Sequence, residues 1–242
     1  MAPILKLDRL SKNFAGLAAV KDVSFEVEEG GLFGLIGPNG AGKTTLLSII
    51  AGSIQPTSGS IVFQGHEITG AKPYHAARAG IVRTHQIPKP FRGLSVLENV
   101  EVGLRFGRSK RAGDETKTAM EFLERVALAH VYFMPASALS VGDMKRLELA
   151  RTLAARPSLL LCDEVCSGLT QTEAASILEL LCDIRRAGTS ILYVEHNLKA
   201  IMSICDRVIV MNSGQKLAEG PPEAVQNNPA VIEAYIGKAA HK

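Results

Sequence analysis

The chain contains no tryptophan, and aromatic residues fill only 5% of its 242 positions. A surface that stacks nucleobases needs several aromatic rings, so the composition argues against a single-stranded nucleic-acid platform. A formal net charge of +3 is also too small for a protein that neutralises a phosphate backbone, and no nucleic-acid partner is expected. No apolar run approaches the roughly 18–20 residues of a membrane span. The tightest, Leu159-Leu160-Leu161-Cys162, is strand-sized and closed by Asp163. The four cysteines, Cys162, Cys166, Cys182 and Cys205, form no C-x-x-C pair, and each follows an apolar residue. They read as reduced, mostly buried thiols of a cytosolic protein. Lys6, Asp8 and Arg9 interrupt the first residues, so no signal peptide is expected.

What is present is ordinary globular material. Hydrophobic residues make up 46% and charged residues 21%, and the length suffices for a core without disulfides or metals. Alternating patterns at 4–10 and 20–27 predict half-buried strands. A buried strand over 31–37 runs through a glycine-rich turn into a helix ending near Ala51. Short strands are expected at 60–63 and 80–83. A helical pattern then covers about 96–128, with a polar break at 108–114, and a long helix over 141–156 is stopped by Pro157. Strands at 158–162 and 189–194 alternate with helices at 171–186 and 198–204. Strands at 207–212 and 216–218 lead into a short helical tail. This order predicts an α/β fold: a mainly parallel sheet, an antiparallel β region near the N-terminus, and an inserted helical subdomain at roughly 90–157. The whole chain, 1–242, is expected to be one domain with a C-terminal helical tail at roughly 222–242.

The strongest chemical signal is Gly37-Pro38-Asn39-Gly40-Ala41-Gly42-Lys43-Thr44-Thr45, which satisfies G-x-x-x-x-G-K-[ST] between a strand and a helix. Phosphate oxygens must be wrapped by backbone N–H groups, so side chains must be absent where the chain bends around them. The loop ends on a helix N-terminus, whose unpaired donors favour an anion. Lys43 supplies a point charge to the β- and γ-phosphates, and Thr44 offers a hydroxyl to Mg²⁺. A nucleoside triphosphate with Mg²⁺ is therefore expected, a chemistry shared by kinases, GTPases, helicases and transporter motors. The alternative, a glycine-rich turn with a surface lysine, does not account for strand, loop and helix together.

A second signal ends the strand at Leu159–Cys162 with the pair Asp163-Glu164. Ligands bind at the carboxyl edge of a parallel sheet. Asp163 is placed to complete the Mg²⁺ shell and Glu164 to polarise an attacking water. Alone, such a pair is more often a helix cap; beside a phosphate loop it reads as catalytic.

The segment Leu139-Ser140-Val141-Gly142-Asp143, running into Met144-Lys145-Arg146-Leu147-Glu148-Leu149-Ala150-Arg151, resembles the L-S-G-G-Q signature and following helix of ABC ATPases. Further landmarks occur in that family's order. Phe14 sits where the family stacks an aromatic ring on adenine, although Val20 is also within reach of the base. Gln86 matches the Q-loop glutamine, Ser167-Gly168-Leu169-Thr170 the D-loop, and His196 the switch histidine. The resemblance spans almost the whole chain. It implies that two ATPase subunits sandwich two ATP molecules, each between one subunit's phosphate loop and the other's signature. Ser140 would then contact the γ-phosphate across the interface. Gln86 would sense Mg²⁺ and water, and His196 would hold the γ-phosphate and Glu164.

Four positions depart from the pattern: Val141 for glycine, Asp143 for glutamine, Val165 for proline, and Thr170 for the D-loop acid or amide. None removes Lys43, Asp163, Glu164 or His196, and catalysis is still expected. Ala79–Gln86, Leu94–Val100 and the tail Asn227–Gly237 look like the ATPase subunits of branched-chain amino-acid importers, whose features urea and amide importers share. The alternatives are the ATPase of a lipopolysaccharide-type exporter and a non-transport ABC ATPase. Arg83-Thr84 before Gln86 favours the importer. The resemblance implies a second ATPase subunit, a heterodimer being favoured, together with transmembrane permease subunits and, indirectly, a periplasmic or extracellular substrate-binding protein. It also implies a cytoplasmic position, peripheral on the inner face of the cell membrane.

Overall fold

The computed structural model describes residues 3–107 and 115–236. The expected polar break at 108–114 and the last six residues of the tail lie outside them. The first strands, β1 (Pro3–Phe14) and β2 (Leu17–Glu28), are longer than their alternating patterns suggest and pair as an antiparallel hairpin. With β4 (Ser58–Phe63) and β5 (His66–Glu67) they make a four-stranded antiparallel sheet of order β2-β1-β4-β5.

A second sheet has the order β10-β9-β3-β8-β7-β6. Its members are β3 (Leu32–Ile36), β6 (Ile81–Arg83), β7 (Leu159–Asp163), β8 (Ser190–Val194), β9 (Arg207–Asn212) and β10 (Gln215–Gly220). All neighbours are parallel except the β9–β10 hairpin. Its central strands β3, β8 and β7 are buried at every position and mostly apolar because both faces are covered. In β7, Leu159 and Leu161 join one core cluster while Leu160 and Cys162 join the other. The first cluster lies between the two sheets around α1 (Lys43–Ile50), and it collects Leu46, Leu47 and Phe63.

The second cluster joins the opposite face to the helical part of the chain. That part contains α3 (Val96–Phe106), α4 (Glu115–Arg125) and α5 (Val141–Ala154). Ser95 and Glu98 form a capping box at the start of α3. The same face receives α6 (Gln171–Arg186), α7 (Leu198–Ile204), α8 (Pro222–Gln226) and the start of α9 (Pro229–Ile236) through Ile177, Ile201, Val225 and Val231. One further helix, α2 (Pro73–Ala79), lies before β6 and was not foreseen. Cys162 and Cys205 are buried, and no cysteine among the described residues is bridged. No helix among the described residues is long and apolar enough to cross a membrane.

Candidate functional site

The parallel sheet sends its loops to one edge, and four of them carry the expected chemistry. The phosphate loop follows β3, Gln86 follows β6, Asp163 and Glu164 end β7, and His196 follows β8. Gly37 and Gly42 show why the first loop excludes side chains. Gly37 has φ 149°, and a Cβ there would stand 2.1 Å from the Met211 carbonyl oxygen. Gly42 caps α1 with φ 96°, and its Cβ would stand 2.3 Å from the Ala19 carbonyl oxygen. The loop borders a cavity of about 450 Å³ lined by Asn39–Thr45 and Glu164, together with Leu17, Ala18, Ala19, Lys21 and Ser213.

Lys43 is buried, and its Nζ donates to the carbonyls of Gly37 and Pro38 at 2.6 and 3.0 Å. Burial lowers its pKa, while Glu164 and Asp163 pull it back up. An ammonium parked on loop carbonyls beside two carboxylates is ready to exchange them for phosphate oxygens.

Glu164 sits in the left-handed region, with φ 52°. Its N–H donates to the Val194 carbonyl, and its own carbonyl accepts from Lys145 Nζ at 3.1 Å and from the Ser167 N–H. The backbone is thus fixed from three sides. The carboxylate is fixed as well: Gln86 Nε2 donates to Oε2 at 2.5 Å, and His196 Nδ1 stands 3.3 Å from Oε1. Gln86 and His196 therefore converge on the carboxylate of Glu164, which lines the cavity.

Asp163 is 1% exposed. Arg83 Nη2 holds its Oδ2 at 2.6 Å, the Thr84 hydroxyl accepts its backbone N–H at 3.1 Å, and Oδ1 has no hydrogen-bond partner. An unpartnered, buried carboxylate oxygen is a hard donor of the kind that Mg²⁺ takes. Thr44 and Asp163 would hold the ion, which when bound would supply positive charge to the phosphates. Gln86 spends its amide N–H on Glu164, so its carbonyl oxygen is the end that remains for a metal.

Phe14 is not brought into the cavity wall. Its ring carries Lys12 Nζ at 5.0 Å and is 43% exposed, while Val20 points into the core. Leu17, opposite Phe14 in the hairpin, and the two alanines after it line the wall instead.

The signature lies apart. None of Leu139–Asp143 lines the cavity. Ser140 caps α5 by accepting the Asp143 N–H, and its hydroxyl donates to Asp143 Oδ2 at 2.8 Å. The unexpected acid is thus folded back on the serine it accompanies. Two other departures have local reasons. Val165 packs into the core at 5% exposure. Thr170 forms a capping box with Glu173 at the start of α6. Val141 is exposed, and nothing within the chain explains it.

Several polar residues escaped the sequence reading. Lys145 and Glu148 of α5 are buried, and Glu148 Oε1 accepts from the His85 backbone and stands 3.0 Å from its Nδ1. Glu195, whose pKa is raised by burial, accepts from the backbones of Cys166 and His196. Their signal was charge inside helical and strand patterns, which alone reads as solvated surface.

The sequence matches the family model described as ABC transporter over residues 20–167. It matches the model described as branched-chain amino acid ATP-binding cassette transporter over 215–241. It is 40% identical to the high-affinity branched-chain amino acid transport ATP-binding protein LivG of Salmonella typhimurium, covering 98% of this chain and 99% of that one. Identity to the BraF protein of Pseudomonas aeruginosa, named for the same transport, is 38% over 98% and 99%. The fold superposes on a nucleotide-free ATP-binding cassette from an ABC transporter with a TM-score of 0.88, at 32% identity, covering 98% of this chain and all of that one. A dimeric cassette in a post-hydrolysis state bound to ADP and Pi gives a TM-score of 0.82 at 25% identity, covering 90% and 98%.

Proposed function

Since the chain belongs to the ABC transporter family as an ATP-binding, ATP-hydrolysing subunit, we propose that it drives import of branched-chain amino acids. It acts as a single ATPase domain on the cytoplasmic face of the membrane, held there by permease subunits that a substrate-binding protein serves from outside. The tail match and the names of the relatives support the substrate class.

The observation that carries the chemical reading is Glu164 held between Gln86 and His196 at the wall of the phosphate-loop cavity. Phosphoryl transfer to water needs positioning and charge stabilisation more than covalent chemistry. The loop N–H groups and Lys43 take the phosphates. Glu164 accepts a hydrogen bond from the water and aims it along the γ-phosphate axis, while Gln86 and His196 keep that carboxylate from rotating. The signature is missing from the cavity of its own chain, which supports completion of each site by Ser140 and the α5 N-terminus of a second ATPase subunit. A different chain is favoured as that partner.

Glu164→Gln keeps the shape and removes the acceptor charge. In the assembled transporter it should leave nucleotide affinity within about two-fold and reduce turnover at least about 100-fold. Hydrolysis near the unmodified rate would show that Glu164 does not orient the water.

A further inference from the structure

We propose that Arg83 is the resident countercharge of the metal end of the site, a positioning residue that stands in for the cation when nucleotide binds without metal and so limits how strongly metal and nucleotide favour each other. The inference rests on the reading of Asp163 as a magnesium ligand.

Arg83 ends β6, and its guanidinium spans two functional elements. Nη2 donates to Asp163 Oδ2 at 2.6 Å and Nη1 to the Ser48 hydroxyl at 2.7 Å; that hydroxyl in turn donates to the Thr44 carbonyl at 2.7 Å. One side chain thus reaches the end of β7 and, through Ser48, the first turn of the helix that carries the other metal-binding residue. Thr84 fixes the Asp163 backbone from the adjacent position. The Arg83 side chain is only 18% exposed and Asp163 is 1% exposed, so the pair is weakly screened.

Two effects of removing Arg83 oppose each other. Its hydrogen bond orients the carboxylate, and losing that order would weaken metal binding. Its charge cancels that of Asp163, and losing it would leave a bare anion facing the phosphates. At a nearly dry site the charge effect outweighs the ordering of one carboxylate. Without Arg83, metal-free nucleotide should therefore be repelled, and a divalent cation should become more necessary.

The test uses the purified full chain with ADP, which avoids turnover. Affinity is measured by isothermal titration calorimetry in excess EDTA and in excess MgCl₂, and the ratio of the two dissociation constants gives the metal–nucleotide coupling. For Arg83→Met the ratio should rise at least about ten-fold over the unmodified chain, mainly through weaker binding in EDTA. Arg83→Lys, which keeps the charge and loses the fork, should stay within about three-fold. Breaking a buried pair lowers the unfolding temperature by itself, so a single cooperative unfolding transition well above the assay temperature, for both variants, separates the effect from damage to the fold. A ratio that falls for Arg83→Met would mean that Arg83 only orients Asp163, and a ratio unchanged within two-fold would mean that it does neither; each overturns the proposal. If neither the unmodified chain nor Arg83→Met shows any dependence on Mg²⁺, the metal assignment of Asp163 fails, and the inference falls with it.

Discussion

The carboxyl edge of the parallel sheet and the start of α5 both present groups suited to phosphate, yet they are finished to different degrees. At the sheet edge the functional side chains have partners within the chain: Lys43 on loop carbonyls, Glu164 between Gln86 and His196, and Asp163 on Arg83. At α5 the helix N-terminus is capped from within the motif, Ser140 accepting the Asp143 N–H and donating to its carboxylate, while Val141 is exposed. The start of α5 makes its side-chain hydrogen bonds within its own motif, which supports the proposal that it meets a nucleotide held by a second subunit.

The contrast can be broken most sharply at Ser140. Ser140→Arg fills the helix N-terminus and touches nothing in the cavity. Nucleotide binding by the isolated chain should stay within about two-fold, while ATP turnover in the assembled transporter falls at least about 100-fold, the scale of losing a preorganised donor to a transition-state anion. Equal losses in both measurements would place Ser140 in its own chain's site and erase the distinction between the regions.

A smaller effect is expected next door. Asp143 puts a carboxylate beside the place where a γ-phosphate would dock, and it takes the Ser140 hydroxyl hydrogen. Asp143→Gln removes the charge and frees the hydroxyl. Turnover at limiting ATP should rise about two- to five-fold, against a cost of about 0.3–1 kcal/mol from the lost helix N-terminal carboxylate, read as a slightly lower unfolding temperature. A fall in turnover would show that the acid supports the signature.

The two regions were also unequally legible in the sequence. The strands and helices around the phosphate loop stood out because buried parallel strands are continuous apolar runs and Gly37–Thr45 has no cheaper explanation. Helix α2 was missed because only Ala76 of its seven residues is buried, which leaves no apolar stripe, and β5 because both its residues are exposed. Phe14 stands out by position in the sequence, but Leu17 and two alanines line the cavity and Phe14 does not. Arg83 and Thr84 were noticed as a motif without a role, since nothing in spacing says that β6 lies beside β7. Lys145 and Glu148 were invisible for a related reason. On a helix packed on several sides, a charged residue looks solvated until the elements that bury it are in place.

The central claim is that this chain's phosphate loop and signature belong to two different composite sites, shared with an unlike partner. It is tested most directly by combining Lys43→Ala and Ser140→Arg chains in one preparation of the assembled transporter and measuring ATP hydrolysis. With an unlike partner, each complex holds one copy of this chain, and activity should stay at the level of the separate variants while both still assemble. If two copies pair instead, mixed complexes regain one intact site with an unmodified Lys43 facing an unmodified Ser140. Hydrolysis clearly above that of either variant, with exchange of subunits verified, would contradict the account.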